Sequence, residues 1–389
     1  MLSVLSRARK SLGLAVLALA ALALAACEPI ATTGTGPSVD SSQPVPVALL
    51  VPGGSGQASD EVIARSLQNA ARLAAADLGG VRIDLRVYNT AGQPAQAAAQ
   101  ATKAVDEGAR IILGPVFAQE ANAAGVAVAS RGVSVLSFSN NPDIAGGNVF
   151  VLGPTFQNTA DRLARFAVKQ GSGRIMVVAD RTGAGKSGRA AIERGVAGAG
   201  GSVVASADYE FSQSGIVSAA PGIVEKAQST GAQALFLTAD TAGALPVLSQ
   251  ILRDNGLPGD SVHFIGLTRW DIPSATLTLP SLQGGWFALP DPGVYGQYDS
   301  RYRKAYGEAP HTISGLAYDG IAAVGALVKR GDPLGPHSLT QGSGFVGVNG
   351  IFRLRSDGTN ERGLAVAQIR NNQVVVIDPA PRSFGGAGF

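Results

Sequence analysis

The chain has 389 residues, of which 46% are apolar and 15% are charged, a composition typical of a folded globular protein. Its net charge of +3 results from 31 basic and 28 acidic residues. Three of the basic residues, Arg7, Arg9 and Lys10, precede an apolar segment at the amino terminus, and the remaining chain has 28 basic against 28 acidic residues. The charge therefore gives no indication of a nucleic-acid partner.

The amino terminus has the pattern of an export signal. The apolar segment spans 15 residues, 12–26, and is shorter than the roughly 20 residues that a membrane-spanning helix needs. It ends in the sequence LAAC at residues 24–27, which resembles a lipobox. That resemblance implies that residues 1–26 are a signal peptide and that Cys27, the only cysteine, is lipidated and anchors the protein to a membrane.

Residues 27–44 are expected to form the lipidated cysteine and a flexible tether. Residues 29–44 are rich in Thr, Ser, Gly and Pro and contain few large apolar side chains, so they cannot bury enough surface to fold. Position 28 is Glu. In the sorting rule of many Gram-negative lipoproteins, Asp at this position favours inner-membrane retention, so Glu28 favours the outer membrane and a periplasmic location.

Beyond the tether, short apolar runs alternate with Ala-rich helical segments. This order predicts an α/β fold with parallel sheets and right-handed crossovers. Ser59 is expected to cap the first helix, with Asp60 and Glu61 in its first turn. The predicted strands cover residues 47–51, 81–87, 110–113, 133–138, 174–179, 202–209, 234–238, 262–266 and 286–289.

The last part of the chain has a different pattern. Residues 345–358 contain short β runs and an Asp-Gly pair, Asp357-Gly358, that is a strong hairpin signal. Residues 364–369 and 373–377 are expected to form an antiparallel pair around Asn371-Asn372. Residues 381–389 are rich in glycine and are predicted to be a loose tail.

The order of these segments resembles the type I periplasmic binding proteins, especially the leucine/isoleucine/valine-binding branch. The matching runs are VALLVP at 47–52, IILGP at 111–115, VLSFSN at 135–140, ALFLT at 234–238, YRKAYG at 302–307, AYD at 317–319 and the segment 347–358. The runs GLTRWD at 266–271 and GWFA at 285–288, together with the lipobox, look most like the penicillin-binding protein activator lipoproteins.

The resemblance implies two Rossmann-like lobes joined by a three-segment hinge. Lobe 1 would comprise residues 45–152 and 287–335, and lobe 2 residues 153–286 and 336–380. Ligands of such proteins bind where the carboxyl ends of strands from both lobes face a cleft.

Loops at the strand ends supply the candidate cleft residues, whose hydroxyl, amide and free backbone N–H groups suit a carboxylate and whose Asp240 suits an ammonium. The alternative interpretation is that these residues are ordinary loop polars and helix caps. The candidates are Ser55, Gly114, Pro115, Phe117, Ser137, Ser139 and Asn140 in lobe 1 and Asp180, Asp240 and Trp270 in lobe 2.

The candidate cleft departs from the family's amino-acid binders. Those proteins usually have Ser or Thr a few residues after the third strand, where this chain has Phe117, Ala118 and Gln119. They also have Ala-Thr in place of Asn140-Asn141 and often a Tyr in place of Gly183-Ala184. These departures favour a divergent ligand or a docking role over amino-acid capture.

An enzymatic function has weaker support. Residues 183–188, GAGKSG, match G-x-G-x-x-G, and Asp208 follows at the spacing of a dinucleotide fingerprint. However, residues 180–182 separate the first glycine from its strand, whereas a tight turn under a pyrophosphate needs it almost immediately after. The segment is therefore interpreted as a flexible loop of the lobe 2 cleft. The three histidines are far apart, so no metal, cofactor or catalytic group is predicted.

Three functions remain open at this stage. The first is a lipoprotein that activates a peptidoglycan synthase from the outer membrane. The second is the substrate-binding component of an ABC importer, with a permease as partner and an amino-acid-like small ligand. The third is a nucleotide-dependent enzyme, which depends on the glycine fingerprint alone.

Overall fold

Buried apolar strands alternate with helices from Val45 onward, and this alternation builds one parallel and one mainly parallel sheet, each covered on both faces. The protein is described by a computed structural model, which covers residues 36–40, 42–257 and 262–385. Because both faces of each sheet are covered, the central strands are continuous apolar runs, as expected for parallel sheets with helical crossovers.

Lobe 1 is built on a five-stranded parallel sheet in the order β2-β1-β3-β4-β5. Its strands are β1 (Val45–Val51), β2 (Ile83–Asn89), β3 (Ile111–Leu113), β4 (Val135–Ser137) and β5 (Val149–Val151). The helices between them are α1 (Ala58–Asp77), α2 (Pro94–Asp106) and α3 (Ala118–Val128), with short 3-10 turns at Ala129–Arg131 and Pro142–Ile144.

Lobe 2 is built on a seven-stranded sheet in the order β15-β14-β10-β9-β8-β6-β7, in which β14 and β15 run antiparallel to their neighbours. Its strands are β6 (Arg174–Asp180), β7 (Ser202–Tyr209), β8 (Ala234–Leu237), β9 (His263–Gly266), β10 (Trp286–Leu289), β14 (Ala365–Arg370) and β15 (Gln373–Asp378). Its helical elements are α4 (Phe156–Lys169), α5 (Gly183–Gly198), α6 (Gln213–Ser229) and α7 (Leu245–Asp254), with 3-10 turns at Ser274–Thr278 and Pro280–Leu282.

The remaining elements pack on lobe 1. They are α8 (Pro292–Tyr306), α9 (Gly315–Arg330), α10 (Pro336–Leu339) and a small antiparallel sheet of β11 (Phe345–Gly347), β12 (Gly350–Leu354) and β13 (Asn360–Arg362). The two predicted hairpins are confirmed: β12 pairs with β13 across Asp357-Gly358, and β14 pairs with β15 across Asn371-Asn372. Both asparagines have positive φ, as a two-residue hairpin turn requires.

The packing moves two of the lobe boundaries expected from the sequence. Leu339, Phe345 and Phe352 belong to the core of lobe 1, although residues 336–380 were assigned to lobe 2. Strand β10 belongs to the sheet of lobe 2, although residues 287–289 were assigned to lobe 1. Each segment belongs to the lobe whose core it helps to form, and we therefore propose that the chain crosses between the lobes near residues 151–155, 289–292 and 360–364. These segments are called the first, second and third crossings.

Two terminal segments that the sequence predicts to be flexible make contacts in the structure. Part of the predicted tether, residues 36–40, lies on lobe 1: Leu334 N–H donates to Pro37 O at 3.1 Å, and Val39 packs against the lobe 1 core. In the predicted loose tail, the Phe384 ring centre lies 4.6 Å from the Arg353 guanidinium. The signal peptide, Cys27 and Glu28 lie outside the described residues.

The first helix begins differently from the prediction. Its N-cap residue is Gln57, and Ser59 lies inside α1, so Ser59 is not a cap. Asp60 and Glu61 are in the first turn as expected, where carboxylates interact favourably with the helix dipole. In the described part of the chain, no helix is both long enough and apolar enough to span a bilayer.

Candidate ligand cleft

A cavity of about 360 Å³ lies between the lobes, beside the crossings. It is positioned by the carboxyl ends of β4 and β9, by the start of α4 just after the first crossing, and by the loops around the second and third crossings. Its lining therefore comes from both lobes and from the hinge, which is the place where a two-lobed α/β protein closes on a ligand.

The walls of this hinge cavity are mainly apolar. Polar atoms come from four threonines, two asparagines and Tyr295, and from two arginines, Arg269 and Arg362. Among the described residues that line it there is no Asp, Glu, Lys or His. The lining consists of Asn140, Pro154, Thr155, Phe156, Thr159, Leu267, Thr268, Arg269, Ile272, Ala288, Leu289, Pro290, Tyr295, Thr312, Ile313, Leu316, Asn349, Arg362 and Leu364.

Arg269 follows β9 and is held by Asp271. Its Nε donates to Asp271 Oδ1 at 2.8 Å and its Nη2 donates to Asp271 Oδ2, a two-point contact that fixes the guanidinium plane. The Arg269 side chain is 36% exposed and lines the cavity. The neighbouring Thr268 hydroxyl is buried and has no hydrogen-bond partner. Together these groups form a polar end to an apolar cavity.

Arg362 approaches the same cavity from the third crossing. Its Nε donates to Leu152 O at 3.1 Å, and its Nη1 lies 3.2 Å from Asp319 Oδ2. Asp319 in turn accepts Val348 N–H at 2.7 Å and Asn349 Nδ2 at 3.0 Å. Burial raises the pKa of Asp319, and the facing Arg362 guanidinium offsets part of that rise. The arginine therefore lines the cavity as a partnered cation.

Of the candidates in lobe 1, Asn140 lines the hinge cavity. Ser55, which accepts the Gln57 N–H at 3.1 Å, and Phe117, 39% exposed at the start of α3, are not among its lining residues. Ser55 follows β1 and Phe117 follows β3, which lie three strands and two strands from β5 in the sheet. They remain predictions for the outer part of the cleft.

Four other lobe 1 candidates have structural roles. Ser137 is fully buried, and its hydroxyl donates to Pro115 O at 3.2 Å and accepts Ser139 N–H at 3.1 Å. The Ser139 hydroxyl accepts Asn141 N–H at 3.1 Å. Gly114 precedes a cis bond to Pro115 and has φ +83°, and a Cβ there would overlap Leu50 O. These contacts shape the loops, and a ligand-binding role for the four residues stays a prediction.

In lobe 2, Asp180 is also occupied by internal contacts. Its Oδ1 accepts Thr182 N–H at 3.0 Å, and its Oδ2 accepts the Thr238 hydroxyl at 3.1 Å. Asp240, by contrast, is exposed at the end of β8. Neither residue lines the hinge cavity, so Asp240 stays a prediction for the outer cleft.

The prediction that Trp270 lines the cleft is wrong. Its side chain is fully buried in the lobe 2 core, 6.4 Å from the Phe287 ring. A Cβ at Gly266 or Gly285 would overlap the indole, so the absence of a side chain at both positions makes room for the ring. The runs GLTRWD and GGWFA thus form one packing unit. Sequence reasoning placed Trp270 at a strand end but could not tell which way its ring turned.

The glycine fingerprint also has a packing explanation. Residues 183–188 are the start of α5, not a loop, and the Thr182 hydroxyl caps this helix by accepting Gly185 N–H at 3.1 Å. A Cβ at Gly185 would overlap Asp180 O, and one at Gly188 would approach Leu267 Cδ2 to 2.7 Å. The fingerprint's acidic residue, Asp208, pairs with Arg189 at 2.7 Å. The glycines permit close helix–strand packing.

Sequence reasoning missed most of the hinge cavity. The candidates predicted from the sequence lie at strand ends, whereas Tyr295, Leu316 and Arg362 come from helices and from the third crossing. The AYD run at 317–319 and the segment 347–358 did carry the family resemblance, but nothing in their local pattern marks them as a site. Within the described ranges, no group of three or more His, Cys, Asp or Glu residues is arranged to hold a metal ion.

Comparison with known proteins agrees with this architecture. A family model described as periplasmic binding protein matches residues 44–373. The chain belongs to the periplasmic binding protein family. It has the type I fold of the leucine and branched-chain amino-acid binding proteins, a group of non-catalytic binding proteins located in the periplasm. None of the curated protein sequences compared with the chain matches it.

Three solved structures illustrate the likeness. A putative branched-chain amino acid ABC transporter protein from Rhodospirillum rubrum has a TM-score of 0.72 and 20% identity, covering 86% of this chain and 100% of that one. A Desulfitobacterium hafniense substrate-binding protein in complex with Leu has a TM-score of 0.63 and 18% identity, covering 86% of this chain and 100% of that one. A Rhodopseudomonas palustris solute-binding protein in complex with 3,4-dihydroxybenzoic acid has a TM-score of 0.59 and 18% identity, covering 86% of this chain and 96% of that one.

Proposed function

We propose that this periplasmic binding protein is the non-catalytic substrate-binding component of an ABC importer and that it binds a small carboxylate with an apolar body. The observation that carries the proposal is the hinge cavity, whose lining comes from both lobes and can be sealed by rotating one lobe toward the other. Its volume is in the range of small-ligand sites.

The lining indicates the ligand's chemistry. Apolar side chains surround most of the cavity, and they favour an aliphatic or aromatic body. Arg269 and the unpartnered Thr268 hydroxyl suit a carboxylate end. An ammonium group would need an acidic partner, and no Asp or Glu is found among the described lining residues. The cavity thus favours an acid without an ammonium group over an α-amino acid.

Ligands of both kinds occur in similar proteins. Leu is present in the Desulfitobacterium hafniense structure, and 3,4-dihydroxybenzoic acid in the Rhodopseudomonas palustris structure. If the ligand here is an amino acid, Asp240 at the outer cleft is the group that we expect to hold its ammonium, because it is exposed at the end of β8.

Titration calorimetry of the purified chain tests this proposal. Branched-chain amino acids and matched aliphatic and aromatic acids that lack the ammonium group would be compared. We expect the acids to bind more tightly, and Arg269→Gln to weaken binding by about tenfold or more through the loss of a charge-assisted hydrogen bond. Arg189→Gln, which removes another ion-paired arginine of lobe 2, is the control. No binding by either class, or full binding by the Arg269 variant, would contradict the proposal.

A second function is a penicillin-binding protein activator that stimulates a peptidoglycan synthase. It is supported by the likeness of residues 266–271 and 285–288 and by the departures at Phe117 and at Asn140-Asn141 from the family's amino-acid contacts. Capture of a peptidoglycan synthase by the purified chain, with stimulation of its activity in a reconstituted assay, would favour this function over import.

Membrane anchoring through Cys27 belongs to both proposals, whereas Glu28, which favours the outer membrane, supports the activator. Metabolic labelling with a palmitate analogue would test it: we expect labelling of the exported protein and its loss in Cys27→Ser. Membrane fractionation of the labelled protein would then decide between the inner and the outer membrane.

A further inference from the structure

A second groove between the lobes lies across the second crossing from the hinge cavity. Its volume is about 370 Å³. One side is formed by α8 of lobe 1, through Tyr295, Gly296 and Asp299, and the other by β15 of lobe 2, through Val374 and Val376. We call it the rear groove. Pro290 and Pro292 of the second crossing complete its floor.

The rear groove and the hinge cavity share four lining residues, Arg269, Leu289, Pro290 and Tyr295. The two spaces are therefore adjacent, and the shared residues form the partition between them. The Arg269 side chain is partly exposed, and Tyr295 is only partly buried. Since Asp271 holds Arg269 in place, Tyr295 is the side chain whose rotation about its own bonds would open the partition without moving the backbone.

The rear groove suits an uncharged chain. Leucine, proline, tyrosine and valine side chains supply most of its surface. Both of its acidic residues are engaged in ion pairs, Asp271 with Arg269 and Asp299 with Arg303 at 2.7 Å. The cationic group at the partition, Arg269, is also the one that faces the hinge cavity. An anionic end and an apolar tail would therefore find partners on the two sides of one partition.

We propose that the rear groove is the tail subsite of the ligand site. The ligand is an elongated carboxylate, held by its anionic end in the hinge cavity near Arg269, with an apolar chain that passes Tyr295 into the rear groove. This inference rests on the proposed function, because it extends the same site and defines the class of acid that the site accepts.

Gly296 allows a direct test of the subsite. It lines the rear groove but not the hinge cavity, and a Cβ built on it meets no heavy atom within 4 Å. Gly296→Trp therefore introduces an indole at the wall of the groove without a clash at its Cβ, and replacement of a helical glycine does not weaken α8. Gly222→Trp is the matched control, because Gly222 is also a helical glycine with open space around its Cβ and lies in α6, outside the groove.

The experiment measures the affinity of the full chain for straight-chain saturated carboxylates of increasing length. In the unmodified protein and in Gly222→Trp, affinity should rise about fourfold per added methylene, past the length that fills the hinge cavity. In Gly296→Trp the short acids should bind within about twofold of the unmodified protein, but the rise should stop at a shorter chain. Thermal melting confirms that both variants fold.

Three outcomes are distinguishable. A plateau at the same length in all three proteins would overturn the tail subsite while leaving the proposed function intact. So would a Gly296 variant that follows the unmodified protein at every length. If no carboxylate of any length binds the unmodified protein, the proposed function itself fails, and the tail subsite fails with it.

Discussion

The guanidinium of Arg362 and the carboxylate of Asp319 form an ion pair that is almost completely withdrawn from solvent, with side chains 2% and 0% exposed. Arg362 belongs to the third crossing and Asp319 to α9 of lobe 1. The same guanidinium donates to Leu152 O in the first crossing. One side chain thus ties two of the proposed crossings to the core of lobe 1 at the edge of the hinge cavity.

Breaking this pair should be costly. Arg362→Ala leaves a buried, unpaired carboxylate, so we expect the free energy of unfolding to fall by about 3–5 kcal/mol. Arg301→Ala, which removes the partner of Asp77 in a pair of side chains 45% and 35% exposed, should cost less than about 1 kcal/mol. Urea unfolding of both variants measures the difference. Equal losses would show that the buried pair contributes no more to the free energy of unfolding than the exposed pair.

Glu120 should make the stability of the protein depend on pH in a predictable direction. The residue is fully buried in α3, and neither of its carboxylate oxygens makes a well-aligned hydrogen bond. Burial raises its pKa in the folded state, and the nearby Asp60 adds to the rise. A raised folded pKa contributes stability that is fully present below the unfolded value and is lost as pH rises through the folded value.

We therefore expect Glu120→Gln to gain stability relative to the unmodified protein as pH rises from about 4.5 toward neutrality. Guanidinium unfolding at a series of pH values measures this gain. Glu225→Gln, on an exposed part of α6, controls for the loss of one negative charge. A stability difference that is constant over this pH range would refute the assignment.

The Trp270 packing unit makes a prediction about coupled substitutions. Trp270→Leu empties part of a fully buried site, and Gly266→Ala forces a methyl group into the indole. We expect each single change to lower the free energy of unfolding, by about 2–5 kcal/mol for the tryptophan and about 1–3 kcal/mol for the glycine. The double variant should lose clearly less than the sum, because the smaller side chain leaves room for the new methyl. Additive losses would be inconsistent with direct contact.

Docking of residues 36–40 on lobe 1 can be tested at Gly36. This residue has φ +54°, and a Cβ there would overlap Gly335 Cα. Gly36→Val should release the segment, and the Leu334 amide, which now donates to Pro37 O, should exchange its hydrogen about tenfold faster or more. Gly80→Val, at another positive φ but with open space around its Cβ, should leave that amide unchanged. Unaltered exchange in the Gly36 variant would mean that the segment is not docked.

Local patterns along the chain determined the secondary structure. The run Val-Ala-Leu-Leu-Val became β1, and the alternation at residues 81–87 became β2, because apolar periodicity is set by which face a strand buries. The Asn371-Asn372 turn was also local, since it depends on the tolerance of asparagine for positive φ. The order of such segments was enough to indicate the α/β class and the family.

The hinge cavity was decided only by the tertiary structure. Asn140, Arg269 and Arg362 are far apart in sequence, and they meet because the chain crosses between the lobes and brings β4, β9 and β13 to one place. Trp270 was placed correctly at the end of β9, yet its ring turned into the core because Gly266 and Gly285 leave room for it there. The local sequence determines the position of a residue along a strand or loop. The packing of distant segments then decides whether its side chain faces a ligand or the core.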